Sequence, residues 1–506
     1  MTHSPAITGL FYAVSSMQVA EPAHLTPPSG AHLWVLLLLS WPWVQPFAPS
    51  PLSNVTPWLI SWACLALVML NVRHLSTTAV AQSWAIAALI SSVIGLVQFF
   101  GQAEALSPAV HVPAYLGDAV GNLRQRNQQA TLLSMGLLAV CWWRSRGLAT
   151  VHTAWMLALL STGLAATASR TGLLQILFLG AWCLIHHRAH RARQALWLVV
   201  VSLGIYLLAS LVLPWCLQQM TGHGTANALT RMGTHEGCAA RSTLWSNVGY
   251  LIAQQPLTGW GWDQLRYAHY ITDYPGTRFC DILGNAHNLP LHIAFVWGLP
   301  VAALIMLAIT LWVWRAQPWR HAGADRQLAW GVLGVIALHS ALEYPLWYGP
   351  FQVAIVLSLW LMGGHIWSAM RSHRGVRTVA VLLLGALSVV AFDYQQVRQI
   401  YLPAAQRWAP WRDQPLEIAQ RSWFFENTAL FAEVTITPLR QDNARWMLEA
   451  SQQALHSSPE PRVIEKLLAS AQWLGETELL ALHTARYQAA YPEPYARWAF
   501  SQREKP

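Results

Sequence analysis

Apolar runs dominate the first four-fifths of the chain, and their lengths suit a bilayer. About eleven segments reach or approach the ~20 residues that cross the hydrocarbon core. They lie near 31–48, 54–72, 77–100, 129–143, 151–168, 171–187, 195–214, 287–315, 328–348, 350–370 and 377–396. The mildly apolar stretch from Met1 to Ala20 would make a twelfth, and the absence of a basic n-region there predicts no cleavable signal peptide. The pattern predicts an all-α polytopic membrane protein of about 11–12 transmembrane helices. One long polar loop, near 215–286, separates two of the apolar blocks. Residues 397–506 turn polar, with helical stretches at 441–456 and 462–486 and turns at Ser458-Pro459-Glu460-Pro461 and Tyr491-Pro492-Glu493-Pro494. We read 1–396 as a membrane domain. The rest reads as a small C-terminal α-helical domain like tetratricopeptide repeats.

Charge tests this count. If the chain starts in the cytoplasm, every second connection should be basic. Arg73, Arg144 with Arg146, Arg188 with Arg191 and Arg193, Arg315 with Arg320 and Arg326, and Arg371 with Arg374 and Arg377 all fall in such connections. The long loop and the C-terminal domain then face the opposite, periplasmic side. Against this rule stand Arg124, Arg126, Arg170, Arg231, Arg241, Arg266 and Arg278, all on the outer side. Arg170 lies in Ala168-Ser169-Arg170-Thr171-Gly172, a hinge too short for a free loop. A charge at a membrane boundary usually has a partner, so ligand binding is favoured there over capping or snorkelling.

Composition agrees with the membrane reading: 54% of residues are hydrophobic and only 10% charged, against about 25% in a soluble domain. Many of the 29 Trp sit at the ends of apolar runs, as in an interfacial belt. The net charge of +9 does not point to nucleic acid, because the basic residues are dispersed over short loops. Lys occurs only at Lys466 and Lys505. The Arg bias fits either genome composition or the bidentate grip of guanidinium on phosphate. The six Cys match no zinc spacing, but Cys238 and Cys280 would be able to pair if the loop meets an oxidising compartment.

Candidate chemistry gathers at the outer boundary. Gly121 to Gln129, including Arg126, Asn127 and Gln128, is either a polar helix start or a shelf for a sugar or phosphate. Arg241 to Gln254 reads as a helix with Leu244, Trp245, Val248 and Leu251 on one face, suited to lying flat on a membrane. His287, between Asn285 and Asn288, is either a proton acceptor for a hydroxyl or part of the cap before Leu289-Pro290. Glu343, one turn after His339, either pairs with an outer Arg or orients a catalytic His. Tyr344 and Tyr348 are hydrogen-bonding candidates or belt aromatics. Asp118, Asp263, Asp273 and Asp281 are scattered, so Arg rather than a metal is expected to neutralise a leaving phosphate.

Arg126-Asn127-Gln128-Gln129, Ser169-Arg170-Thr171, Arg241 with Trp245, Ala286-His287-Asn288 and Leu342 to Tyr348, in this order, resemble the O-antigen ligase and polymerase superfamily. The Glu-Tyr-Pro-Leu segment and the helical C-terminus look most like its bacterial protein O-oligosaccharyltransferase branch (PglL type). The chain has Ala286 before His287, where many relatives carry Ser. The resemblance implies inverting, metal-independent transfer of a glycan from undecaprenyl pyrophosphate to Ser or Thr of pilins or other exported proteins. The enzyme would sit in the bacterial inner membrane and need no cofactor besides the lipid-linked donor. It implies phosphate binding by Arg170 and Arg241, an essential His at His287, a motif Gln at Gln128 and a functional Tyr at Tyr344 or Tyr348. Lipid A core or another lipid-linked repeat is the alternative acceptor. A lipid-linked glycan transporter is the rival of another class, disfavoured because the polar residues gather at one boundary.

Overall fold

The structure, a computed structural model, describes residues 30–186, 190–228, 230, 238–320, 323–363 and 373–503. The stretch from Met1 to Ala20, Arg188, Arg231 and Arg371 lie outside the described residues, as does the side chain of Arg191. Among the described residues every regular element is helical.

Among the described residues eleven helices build the membrane body: α1 Gly30–Val44, α2 Val55–Leu70, α3 Thr77–Phe99, α4 Arg126–Ser145, α5 Thr150–Ala166, α6 Arg170–Ile185 and α7 His190–Thr221 come first. Two loop helices follow, α8 Arg241–Gln254 and α9 Leu265–Ile271. The body resumes with α10 Leu289–Ala316, α11 Ala324–Ser340, α12 Gly349–Leu361 and α13 His373–Arg398. Four of the eleven are long and apolar enough to span a bilayer unaided, and five are shorter apolar helices. The remaining two, α4 and α11, explain themselves by position. Helix α4 is packed by α3, α5, α6, α7 and α11, so its sides meet protein rather than lipid. It can therefore carry polar side chains, provided each is bonded. Most are: Gln129 takes Ser91, and Ser134 and Thr131 meet Gln175, with His339 closing on Thr131 at 2.8 Å, while Gln128 Oε1 is buried without a partner among the described residues. His339 is thus consumed in the bundle interior.

The segment read as one span from 287 is broken. Gly298 has φ +82°, and a Cβ there would lie 2.2 Å from the Leu257 carbonyl oxygen. Gly259, at φ +69°, presses equally on Val296. The Gly259-Trp260-Gly261-Trp262 turn is stitched into the break by Trp260 N–H to Phe295 O (2.8 Å), Gly261 N–H to Val296 O (3.1 Å) and Leu299 N–H to Pro256 O (2.7 Å). Only glycine allows this approach of two backbones.

Helix α8 does not lie on a membrane, contrary to the expectation from its apolar face. Leu244, Val248 and Leu251 are buried against α10 residues such as Phe295 and against Leu265 and Leu283 of the loop. A periodic apolar stripe looks the same from sequence whether lipid or protein covers it.

Beyond α13 come α14 Pro415–Ala419, α15 Glu426–Ile436, α16 Ala444–Ser457, α17 Pro461–Leu474, α18 Thr477–Ala490 and α19 Pro492–Arg503. From α15 on, each packs on the next, and α15 also meets α17 and α17 meets α19. Helix α9 joins the long loop to this stack. Its Tyr270 enters the C-terminal core and meets His483 at 3.1 Å, while Tyr267 stacks on His456. His269, between Tyr274 and the Phe279 carbonyl, is held neutral, because burial, reinforced by Arg278, lowers it to about 3.

Candidate active site

Connections on one face of the body carry all the candidate residues. They include the long loop, the turns before α4 and α6, and the link from α11 to α12. A cleft of about 1800 Å³ opens there, lined by Arg124 to Asn127, Ala168 to Thr171, Ala239 to Ser242, Leu342 and Glu343. Three helix N-termini end in it: α4 at Arg126, α6 at Arg170 and α8 at Arg241. Each brings a partial positive charge and unpaired backbone N–H groups, which favours an anion. The local sequence fixes these ends. Ser169 caps α6 by accepting from Gly172 N (3.0 Å), and Gln125 caps α4 by accepting from Gln128 N (2.6 Å).

The cleft's arginines are not equivalent. Arg126 pairs with Asp118 at 2.8 Å. Arg124 donates to the Pro46 and Ala48 carbonyls. Arg241 donates to the Leu342 carbonyl and to Glu343 Oε1. Outside the cleft, Arg266 pairs with Asp263 and Arg278 donates to the Thr272 and His269 carbonyls. Arg170 has no hydrogen bond or ion pair among the described residues, and its charge is felt together with those of Arg241 and Glu343. Of the outer arginines whose structure is described, Arg170 alone is left to meet a ligand.

Glu343 is the hub. Its Oε1 accepts from Arg241 and from Asn127 Nδ2 (2.9 Å), and its Oε2 lies 2.5 Å from His287 Nδ1. The two sequence readings of Glu343, an Arg partner or an orienter of His, are both realised, one on each oxygen. Burial pushes its carboxyl up, but the hydrogen bond from His287 and the charge of Arg241 outweigh burial and hold it below the ordinary range. An ionised carboxylate on Nδ1 fixes the proton at that nitrogen, which leaves Nε2 with its lone pair.

His287 is held from both sides. It has φ +50°, its N–H donates to Asn285 Oδ1 (2.9 Å), and the Ala286 carbonyl accepts from Trp245 Nε1 (3.1 Å). Asn288 caps α10 through Leu291 N–H and donates to the Ala341 carbonyl (3.0 Å), so the cap also ties His287 to the strand of Glu343. A disulfide joins Cys238 and Cys280 with Cα atoms 5.3 Å apart, linking the chain just before Arg241 to the chain leading into His287.

The aromatics separate. Tyr344 meets the His287 ring edge-on, centroids 4.9 Å apart, and burial pushes its phenol above its ordinary value. Tyr348 stacks behind Tyr344 and bonds toward Tyr344, Asn54 and Gln128. Gln128, 2% exposed, points into this packing and does not line the cleft. Asn127, its neighbour, is the residue that reaches the hub. Asn127 and Asn288 were not singled out as site residues from sequence. Their signal, Asn at a helix start facing a distant carboxylate or carbonyl, needs the fold to be seen.

Three family profiles match successive stretches of the chain: Protein glycosylation ligase over residues 119–143, O-Antigen ligase over 155–306, and Virulence factor membrane-bound polymerase, C-terminal, over 327–505. Successive parts of the chain are thus similar to O-antigen ligases, protein glycosylation ligases and membrane-bound polymerases. A general O-oligosaccharyltransferase of Acinetobacter baylyi is 24% identical over 318 residues, covering 60% of this chain. The chain spans about half the length of that curated relative, 52%. The superfamily matches embrace all three walls of the site: the turn before α4, the span from Arg170 through His287, and Glu343 with Tyr344.

Proposed function

We propose that the chain is an O-linked oligosaccharyltransferase. It would move a glycan en bloc from undecaprenyl pyrophosphate to a Ser or Thr hydroxyl of a pilin or other exported protein, at the periplasmic face of the inner membrane. The observation that carries this reading is the Glu343 carboxylate, which joins a guanidinium at an anion cleft to an imidazole. The named activity of the Acinetobacter relative supports the protein acceptor.

In this reading the donor's pyrophosphate lies in the cleft of three helix N-termini, against Arg170, with Arg241 beside it holding Glu343. The acceptor hydroxyl meets His287 Nε2. As its oxygen attacks the anomeric carbon, the proton passes to Nε2 and the bond from that carbon to the phosphate oxygen breaks. The electron pair leaves on the pyrophosphate, where Arg170 and the helix ends stabilise it. Glu343 keeps the imidazole oriented and balances the imidazolium that forms. The leaving charge is met by arginines, and we propose that no metal is required.

The test is transfer by purified protein given lipid-linked glycan and an exported acceptor. His287→Ala is expected to lower transfer by about 10²–10⁴-fold while the protein folds and binds donor. Near-normal glycosylation by this variant would reject the assignment. Full activity in excess EDTA is expected, and strict dependence on a divalent ion would overturn the metal-independent mechanism. The polymerase-type match over 327–505 favours one second reading, a lipid-linked glycan as acceptor. Glycan on lipopolysaccharide or lengthened lipid-linked chains, with none on protein, would select it.

A further inference from the structure

A second cleft, of about 2100 Å³, lies between the long loop and the C-terminal helices. Its walls come from Ser50 to Leu52, Trp262, Asp263, Arg266 and Ile282 on one side, and from Trp423 to Thr428 with Ser457, Ser458 and Glu460 on the other. Trp347 stands in its lining. Trp347 also meets Tyr344 edge-on, and Tyr344 meets His287, so contacts run from this cleft through two rings to the imidazole and on through Glu343 to the first cleft.

Three features decide what fits. The cleft is aromatic and uncovered: Trp423 is 87% exposed, Trp262 66% and Phe424 56%. Its charge is opposite to that of the first cleft. Three carboxylates (Asp263, Glu426, Glu460) and one guanidinium, Arg266, line it; Asp263 binds Arg266 and Glu460 pairs with Arg462 beyond the lining, which leaves Glu426 as the carboxylate without an ion pair among the described residues. Neither a pyrophosphate nor an acidic segment is welcome there. The walls are joined, because α9, which carries Arg266, is built into the C-terminal core through Tyr267 and Tyr270.

Displacement at the anomeric carbon brings the nucleophile in opposite the leaving group. With the pyrophosphate at Arg170, the acceptor hydroxyl must reach the anomeric carbon from the side opposite Arg170. We infer that this aromatic cleft is the acceptor channel. It takes an extended polypeptide segment that is neutral or basic around its modified Ser or Thr and seats apolar side chains on Trp262 and Trp423. This inference rests on the transferase reading above.

The experiment uses the full chain in nanodiscs, purified lipid-linked glycan, and a short synthetic peptide copying a segment that glycopeptide mass spectrometry finds modified by the unaltered protein. Trp423→Ala and Trp262→Ala, on opposite walls, should each raise the acceptor KM about tenfold or more with kcat and donor KM within about twofold. Trp423→Tyr should restore most of the affinity. Peptides with acidic flanks should bind about tenfold worse, and Glu426→Gln should relieve part of that loss. A raised donor KM would overturn the inference, by placing the glycan or lipid tail in the cleft. Unchanged acceptor KM, or lost kcat with a lowered melting temperature alone, would also overturn it, the latter marking these aromatics as structural. If the unaltered protein modifies no exported protein, the transferase reading falls and the inference with it. If it does and the variants match it, only the channel falls.

Discussion

The two clefts flanking His287 are made of different material. The first gathers four arginines, two carboxylates and three helix N-termini, and leaves Arg170 unspent. The second gathers tryptophans and carboxylates and holds its one guanidinium in a pair. Both contain Arg, and most of these arginines already have partners. What separates them is whether a guanidinium already has a partner. A paired arginine is scaffold, and an unpaired one beside converging helix dipoles is a binding group.

That distinction sets the predictions. After His287→Ala, Glu343→Gln should have the largest effect. It removes the charge that orients His287 and strands Arg241, and kcat should fall about 10²-fold or more, read in the reconstituted transfer assay. Arg170→Ala should come next, costing about 10²–10³-fold through both donor KM and kcat. Arg266→Ala, the control in the other cleft, should stay within about tenfold. Equal losses for Arg170 and Arg266 would erase the contrast between clefts. Cys238→Ser should leave the chemistry intact but lower stability by about 2–4 kcal/mol, seen as a lower melting temperature that matches mild reduction of the unaltered protein.

The smallest effect is on pH. Glu343 is held below its ordinary value of about 4.5, so its contribution to stability is complete above that pH and is lost as pH falls through the lowered value. A plot of melting temperature against pH should drop at the acid end in the unaltered protein, and Glu343→Gln should lack that component. An identical acid limb in both would show that the carboxylate contributes nothing there.

Much of this was legible in the sequence. Alternating basic connections set an expected orientation for the apolar segments, and the same rule singled out Arg170 by violation. The helix cap at Asn288 and the pairing of Cys238 with Cys280 were also visible. The partners of the other outer arginines were not, because Asn127 meets Glu343 across 216 residues and His287 meets it across 56. The break at Gly298 was hidden too, since a glycine in an apolar run carries no mark of the backbone that presses on it. Helix α8 misled for a related reason: its stripe told that something apolar covers it and not whether that is lipid or α10.

Donor binding and glycan transfer measured side by side on purified His287→Ala and Arg170→Ala test the core of this proposal. We expect His287→Ala to bind lipid-linked glycan like the unaltered protein yet transfer almost none, and Arg170→Ala to lose donor affinity. Transfer near the normal rate by His287→Ala, or donor binding unchanged in Arg170→Ala, would contradict it.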